Sequence, residues 1–257
     1  PKDELGHWLI EREQLWGTLE EQGYRPVPLS SGACDPFEAE LIHRDLVPRY
    51  VGEAMASLTS SQVALYGVGA AAGLTTLGEL RVGQLLIGPV LVIFIGLQLV
   101  AVPMAIRALA VSVDRLYRLC LGIGLAMAAF TTLWGIGLSA LPDEVGRALL
   151  GSNWEAADRM VLLLALGLAA ASLSSGALIG LRALAAANRS LRATVIASAL
   201  STVLTIGGAA TFGAFGAAVG ILIAHTITVP LWWWEFRRET TAHGRARDGS
   251  GEKPITP

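Results

Sequence analysis

The sequence predicts an all-α integral membrane protein, a bundle of six transmembrane helices. Three observations predict it. Hydrophobic residues make up 53% of the chain and charged residues only 16%, a balance found in membrane proteins rather than soluble ones. Charge is absent from five long runs, each sufficient for a bilayer crossing of about 20 residues. Arginines recur in every second connection between those runs, as the positive-inside rule requires.

The stretch Arg49–Pro89 organises the rest. Ala54–Leu77 carries no charge and is long enough to span. At helical spacing Arg49, Glu53, Ser57 and Ser61 share one face, with Ser60 and Gln62 beside them. That stripe should turn from lipid towards other helices or a watery cavity. Gly78-Glu79-Leu80-Arg81 reads as the turn of a hairpin, and a second apolar run, Val82–Ile106, follows at once. Leu119–Pro142 and Met160–Leu181 are the third and fourth. Ala193–Trp234 is uncharged over about twice one crossing, and its glycines between Gly207 and Gly216 supply a turn, so it counts as two spans.

Three segments result: a cytosolic linker at 1–45, a six-helix membrane bundle at 46–236 and a disordered cytosolic tail at 237–257. In the linker, residues 3–22 have the spacing of an amphipathic helix, with Leu5, Trp8, Leu15 and Leu19 on one side. Arginines at 44 and 49, at 107, 115 and 118, at 182, 189 and 192, and from 237 onward place both termini in the cytosol. Trp232, Trp233 and Trp234 read as an interfacial anchor at that end, with Trp134 and Trp154 marking the other side.

Little in the chain points to catalysis. The four histidines are scattered, the two cysteines, Cys34 and Cys120, lie far apart, and no Gly-rich phosphate loop or paired aspartates occur. No catalytic residue, metal site or cofactor is therefore assigned, and the chain is not read as an enzyme. Polar residues within spans are the alternative. His225 is an ionisable group deep in a span, which makes it either a functional group or an interhelical hydrogen-bond partner. Gln62 and Gln98 line a cavity or bridge helices. Ser57, Ser61, Gln62, Gln98 and His225 are thus the cavity-lining candidates. Arg49, Arg107 and Arg182 sit at cytosolic helix ends, where they either snorkel or form a mouth for phosphate. Gly69/Gly73, Gly176/Gly180 and Gly216/Gly220 have the spacing of close helix packing, and Pro89, Pro103 and Pro230 would kink their helices.

Several segments resemble a known family. Leu77-Gly78-Glu79-Leu80-Arg81 with Gln84 and Gly88-Pro89 resembles the first hairpin in the C-terminal half of polysaccharide-biosynthesis flippases. These belong to the multidrug/oligosaccharidyl-lipid/polysaccharide exporter superfamily. Leu149-Leu150-Gly151-Ser152-Asn153-Trp154 is similar to that half's external segment between its third and fourth helices. Gly180-Leu181-Arg182-Ala183-Leu184 with Arg189-Ser190-Leu191-Arg192 looks like its next cytosolic turn. The likeness runs from Leu46 to Arg238.

The resemblance implies one six-helix half of a transporter of twelve or more helices. Such a transporter flips lipid-linked oligosaccharides across the cytoplasmic membrane by alternating access. The implied partners are membrane lipid, a lipid-linked glycan, and either a missing N-terminal half or a second copy; nucleic acid is not among them. Two other functions remain open. One is an ion-gradient-driven drug or metabolite exporter of the same superfamily, which the lack of a midspan Asp or Glu disfavours. The other is a non-transporting scaffold subunit of a glycan-assembly complex.

Overall fold

A computed structural model describes the backbone of residues 36–249 and the side chains of residues 48–243. The chain divides into two units, Pro1–Asp45 and Leu46–Pro257. The amphipathic helix expected at residues 3–22, and Cys34, lie outside the described residues.

The elements are α1 (Pro36–Val111), α2 (Val113–Ser139), α3 (Asp143–Leu150), a 3-10 turn (Gly151–Asn153), α4 (Trp154–Ala183) and α5 (Ala187–Gly249). Four of these, α1, α2, α4 and α5, are long and apolar enough to cross a membrane. Where the sequence reading expects six crossing helices, the described residues hold four, because the first two expected spans share α1 and the last two share α5.

Those two helices are not straight. Helical geometry fails in α1 at Gly73 (φ 88°, ψ 165°), and in α5 at Phe212 and at Gly213 (φ 62°, ψ −145°). Positive φ strains any residue with a Cβ, so glycine occupies the key position of each break. The hairpin turn expected at Gly78–Arg81 is therefore corrected: that segment is helical and Leu80 is buried. Pro89, Pro103 and Pro230, expected to kink their helices, lie inside α1 and α5, where the non-helical torsions fall at Gly73, Phe212 and Gly213.

Small residues set how the helices pack. Across the α5 break, a Cβ on Gly208 or on Gly216 would overlap the other's carbonyl, and Gly220 meets Leu204 in the same way. Pairs whose numbers converge on the break mean that the two arms of α5 run antiparallel, side by side. α2 and α4 are antiparallel, with Gly124 against Leu173 and Gly176 against the Cys120 carbonyl. The second arm of α5 runs parallel to α4, Gly167 against Leu222 and Gly180 against the Phe236 ring. The first arms of α1 and α5 are parallel as well. Ser60 Oγ donates to Ser198 O at 2.9 Å, and a Cβ on Gly52 would meet Leu191 at 3.7 Å. The glycine pairs 176/180 and 216/220 thus serve contacts within the chain.

Two apolar clusters form the core. One gathers Val68, Leu80, Val90, Met160, Leu164 and Ala217 near the two breaks. The other gathers Leu116, Cys120, Ile179, Leu181, Trp232 and Phe236 towards the opposite end. Large apolar side chains such as Leu85, Val92, Leu99, Leu133 and Val203 stay exposed, as an outer surface facing lipid would require.

Two further expectations change. Trp154 is no interfacial marker: it is 1% exposed, its ring covers Gly146, and its Nε1 donates to Asp143 Oδ1 at 3.0 Å. A cap formed by α3 thus takes the ring that would otherwise sit at the membrane surface. Of the three consecutive tryptophans, Trp232 is buried and only Trp234 is exposed. The tail expected from residue 237 as disordered is helical as far as Gly249. An ion pair between Arg189 and Glu239 holds its first turn to the start of α5.

Candidate functional site

The polar stripe of α1 forms one wall of a cavity of about 620 Å³. Ligand sites commonly occupy about 300–1,000 Å³. Ser57, Ser60 and Ser61 come from the first arm of α1 and Gln98 from its second. α4 contributes Ser174, Ser175 and Arg182. The first arm of α5 contributes Thr194, Ser198 and Ser201, and its second arm His225, Thr228 and Trp232. No single helix could supply this lining. It exists because the breaks at Gly73 and Gly213 bring both arms of α1 and of α5 to one place.

Four of the nine lining hydroxyls, those of Ser61, Ser174, Ser175 and Thr228, are held by their own helices. Ser61 Oγ donates to Leu58 O at 2.7 Å, Ser175 Oγ to Ala171 O at 3.0 Å and Thr228 Oγ1 to His225 O at 3.0 Å. Their protons are thereby engaged, and their lone pairs remain to accept from a ligand. Ser60 Oγ and Thr202 Oγ1 share a 2.7 Å bond that ties α1 to α5.

Charge closes one end of the cavity. Glu53 is 4% exposed, and its Oε1 lies 2.6 Å from Arg182 Nη2. Its Oε2 accepts from Ser190 Oγ. Both carboxylate oxygens are therefore held, one by α4 and one by α5. Arg182 belongs to the lining and keeps about a third of its side chain exposed, and its buried Nε has no hydrogen-bond partner.

Five of the eight residues singled out in the sequence meet here: Ser57, Ser61, Gln98, His225 and Arg182. Gln62 does not; it is exposed and away from the lining. Arg107 is exposed elsewhere, and Arg49, half-buried with interactions of its own, is not in the lining. Of the three arginines expected at a phosphate mouth, Arg182 is in the lining, where Glu53 pairs with it. The residue that sequence reasoning missed is Glu53. It was visible as a member of the stripe, four residues from Ser57, but nothing local marked its partners 129 and 137 positions away. Among the described residues no cluster of His, Cys, Asp or Glu could hold a metal ion.

Residues 1–80 match the N-terminal domain of a family of unknown function, DUF6866. The match takes in Glu53, Ser57, Ser60 and Ser61 of the cavity wall, while the walls from α4 and α5 lie beyond it. No curated protein and no solved structure matches the chain.

Proposed function

We propose that this chain is one six-crossing half of a transporter that flips lipid-linked oligosaccharides across the cytoplasmic membrane. The observation that carries the reading is a cavity with nine serine and threonine residues in its lining, set among helices apolar enough for a bilayer. A sugar offers many hydroxyl donors and few charges, and serine and threonine oxygens with free lone pairs are suited to accept from them. The phosphates of the carrier lipid would sit towards Arg182.

The count of six crossings rests on length. From Pro48 to Val111 a straight helix of 64 residues would extend about 96 Å, against a hydrocarbon core of about 30 Å. Folding back at Gly73, and likewise at Gly213, converts two such helices into four crossings. With an even count, both termini share a side, and the arginine-rich end is cytosolic by the positive-inside rule. Ser57 and Ser61 are exposed, so the cavity is open along that face. A second six-helix half, or a second copy, would cover it.

Ser57→Leu and Ser61→Leu, in cells that depend on this protein and its partner half, should cut glycan export severalfold while protein abundance in the membrane holds. Gln62→Leu, away from the lining, should export normally. Loss of protein in step with export would mean that the serines serve packing alone.

One observation favours the ion-coupled exporter as a second reading. Glu53 is a buried carboxylate in the cavity wall, the type of group that such coupling needs. An export rate that depends on an imposed ion gradient, and on Glu53, would decide for it.

A further inference from the structure

A second pocket lies at the charged end of the bundle, outside the cavity just described. It measures about 370 Å³ and is lined by Arg189, Arg237, Arg238, Thr241 and Ala242. Arg189 is engaged by two carboxylates, Glu235 at 3.3 Å and Glu239. Arg237 and Arg238 have no carboxylate partner among the described residues. Arg237 gives Nε and Nη2 to the Tyr117 hydroxyl at 3.3 and 3.0 Å, which leaves most of its five N–H groups unused. The Arg238 guanidinium lies 4.6 Å over the Trp234 ring, a cation–π contact that fixes its plane. Among the described residues, three arginines against two glutamates leave one positive charge in excess.

The surroundings are those of a membrane surface. Trp234 is 51% exposed, one helical turn before Arg238, where the apolar part of α5 ends. Beneath the pocket Tyr117, Trp233 and Phe236 form a packed aromatic group, with Tyr117 and Phe236 stacked at 5.8 Å. Exposed tryptophan beside unpaired arginine, with aromatics below, is the arrangement that holds a lipid headgroup at the level of its phosphate.

We propose that Arg237 and Arg238, braced by Tyr117 and Trp234, bind the phosphodiester of an anionic phospholipid. A phosphodiester carries a single negative charge and so matches the single excess positive charge, whereas free phosphate near neutral pH is largely dianionic. Guanidinium N–H groups pair with phosphate oxygens in forked geometry, and the acyl chains would lie along the apolar side of α5. The inference does not depend on what the larger cavity transports.

The test is thermal unfolding of the full chain, purified in a neutral detergent and titrated separately with phosphatidylglycerol, phosphatidylcholine and inorganic phosphate. Phosphatidylglycerol should raise the unfolding temperature saturably, and the other two should not. Arg237→Gln/Arg238→Gln should weaken the apparent affinity for phosphatidylglycerol roughly 30-fold, taking two surface arginines at their usual strength near anionic lipid. Arg115→Gln/Arg118→Gln removes the same charge at the same end from residues outside the pocket lining, and should leave that affinity unchanged. Equal loss in both double variants would overturn the site in favour of diffuse surface charge. Equal stabilisation by inorganic phosphate would overturn the lipid as its occupant. The three wild-type titrations decide the matter by themselves if the glutamine pair fails to fold.

Discussion

Arg182→Leu should destabilise the bundle by about 3–5 kcal/mol, because it leaves the Glu53 carboxylate buried without a cation. In a chain of this size that corresponds to a fall of roughly 10 °C in unfolding temperature. Glu53→Leu should cost less, about 1–3 kcal/mol. The guanidinium that it strands is a third exposed and can turn to water in the cavity, although Ser190 also loses its acceptor. The double variant Glu53→Leu/Arg182→Leu should recover part of the loss, since two apolar side chains carry no desolvation penalty. Thermal melts of the three purified variants check this. If the two single losses simply add, Glu53 and Arg182 do not act as a pair.

Gly216→Leu should be as damaging, through sterics rather than charge. A Cβ at Gly216 would overlap the backbone carbonyl of Gly208 in the facing arm of α5. A backbone atom has no rotamer to escape into, so the arms must part, at the upper end of the usual overpacking cost of about 1–3 kcal/mol. Separation of the arms would also disturb the cavity, to which both contribute. Gly137→Leu makes the natural control, since a Cβ there meets nothing within 4 Å and the residue is exposed. Melting curves and elution profiles should show Gly216→Leu broadened or aggregated and Gly137→Leu close to wild type. Equal tolerance at both positions would contradict the folded-back geometry of α5.

Exclusion of charge from long runs is a property of composition, so the apolar helices were legible in the sequence. Where they bend was not. Gly78-Glu79-Leu80-Arg81 has the residues of a turn, yet Leu80 is needed in the core beside Val68 and Val90, and the bend falls at Gly73. Nothing in Gly69-Ala70-Ala71-Ala72-Gly73 distinguishes which small residue will take positive φ; tertiary packing selects it. The cavity wall was legible as far as helical periodicity reaches. Ser57 and Ser61 are one turn apart and share the lining. Gln62 falls about 140° around the helix from Ser57, so the same periodicity argues against it. The Glu53–Arg182–Ser190 cluster joins three helical segments distant in sequence, and no local pattern encodes such a meeting.

Side-specific labelling of introduced cysteines, with Cys34 and Cys120 replaced by alanine, tests the central claim most directly. That claim is a folded-back membrane bundle enclosing a water-accessible polar cavity. A membrane-impermeant maleimide should label cysteine at Ser152 from one face of sealed, oriented vesicles and cysteine at Thr241 only from the other. Cysteine at Ser57, on the cavity wall, should label from the Thr241 side, while cysteine at Leu99, on the outer apolar surface, should not label at all. Labelling of Ser152 and Thr241 from the same face, or a silent Ser57 beside a reactive Leu99, would contradict the account.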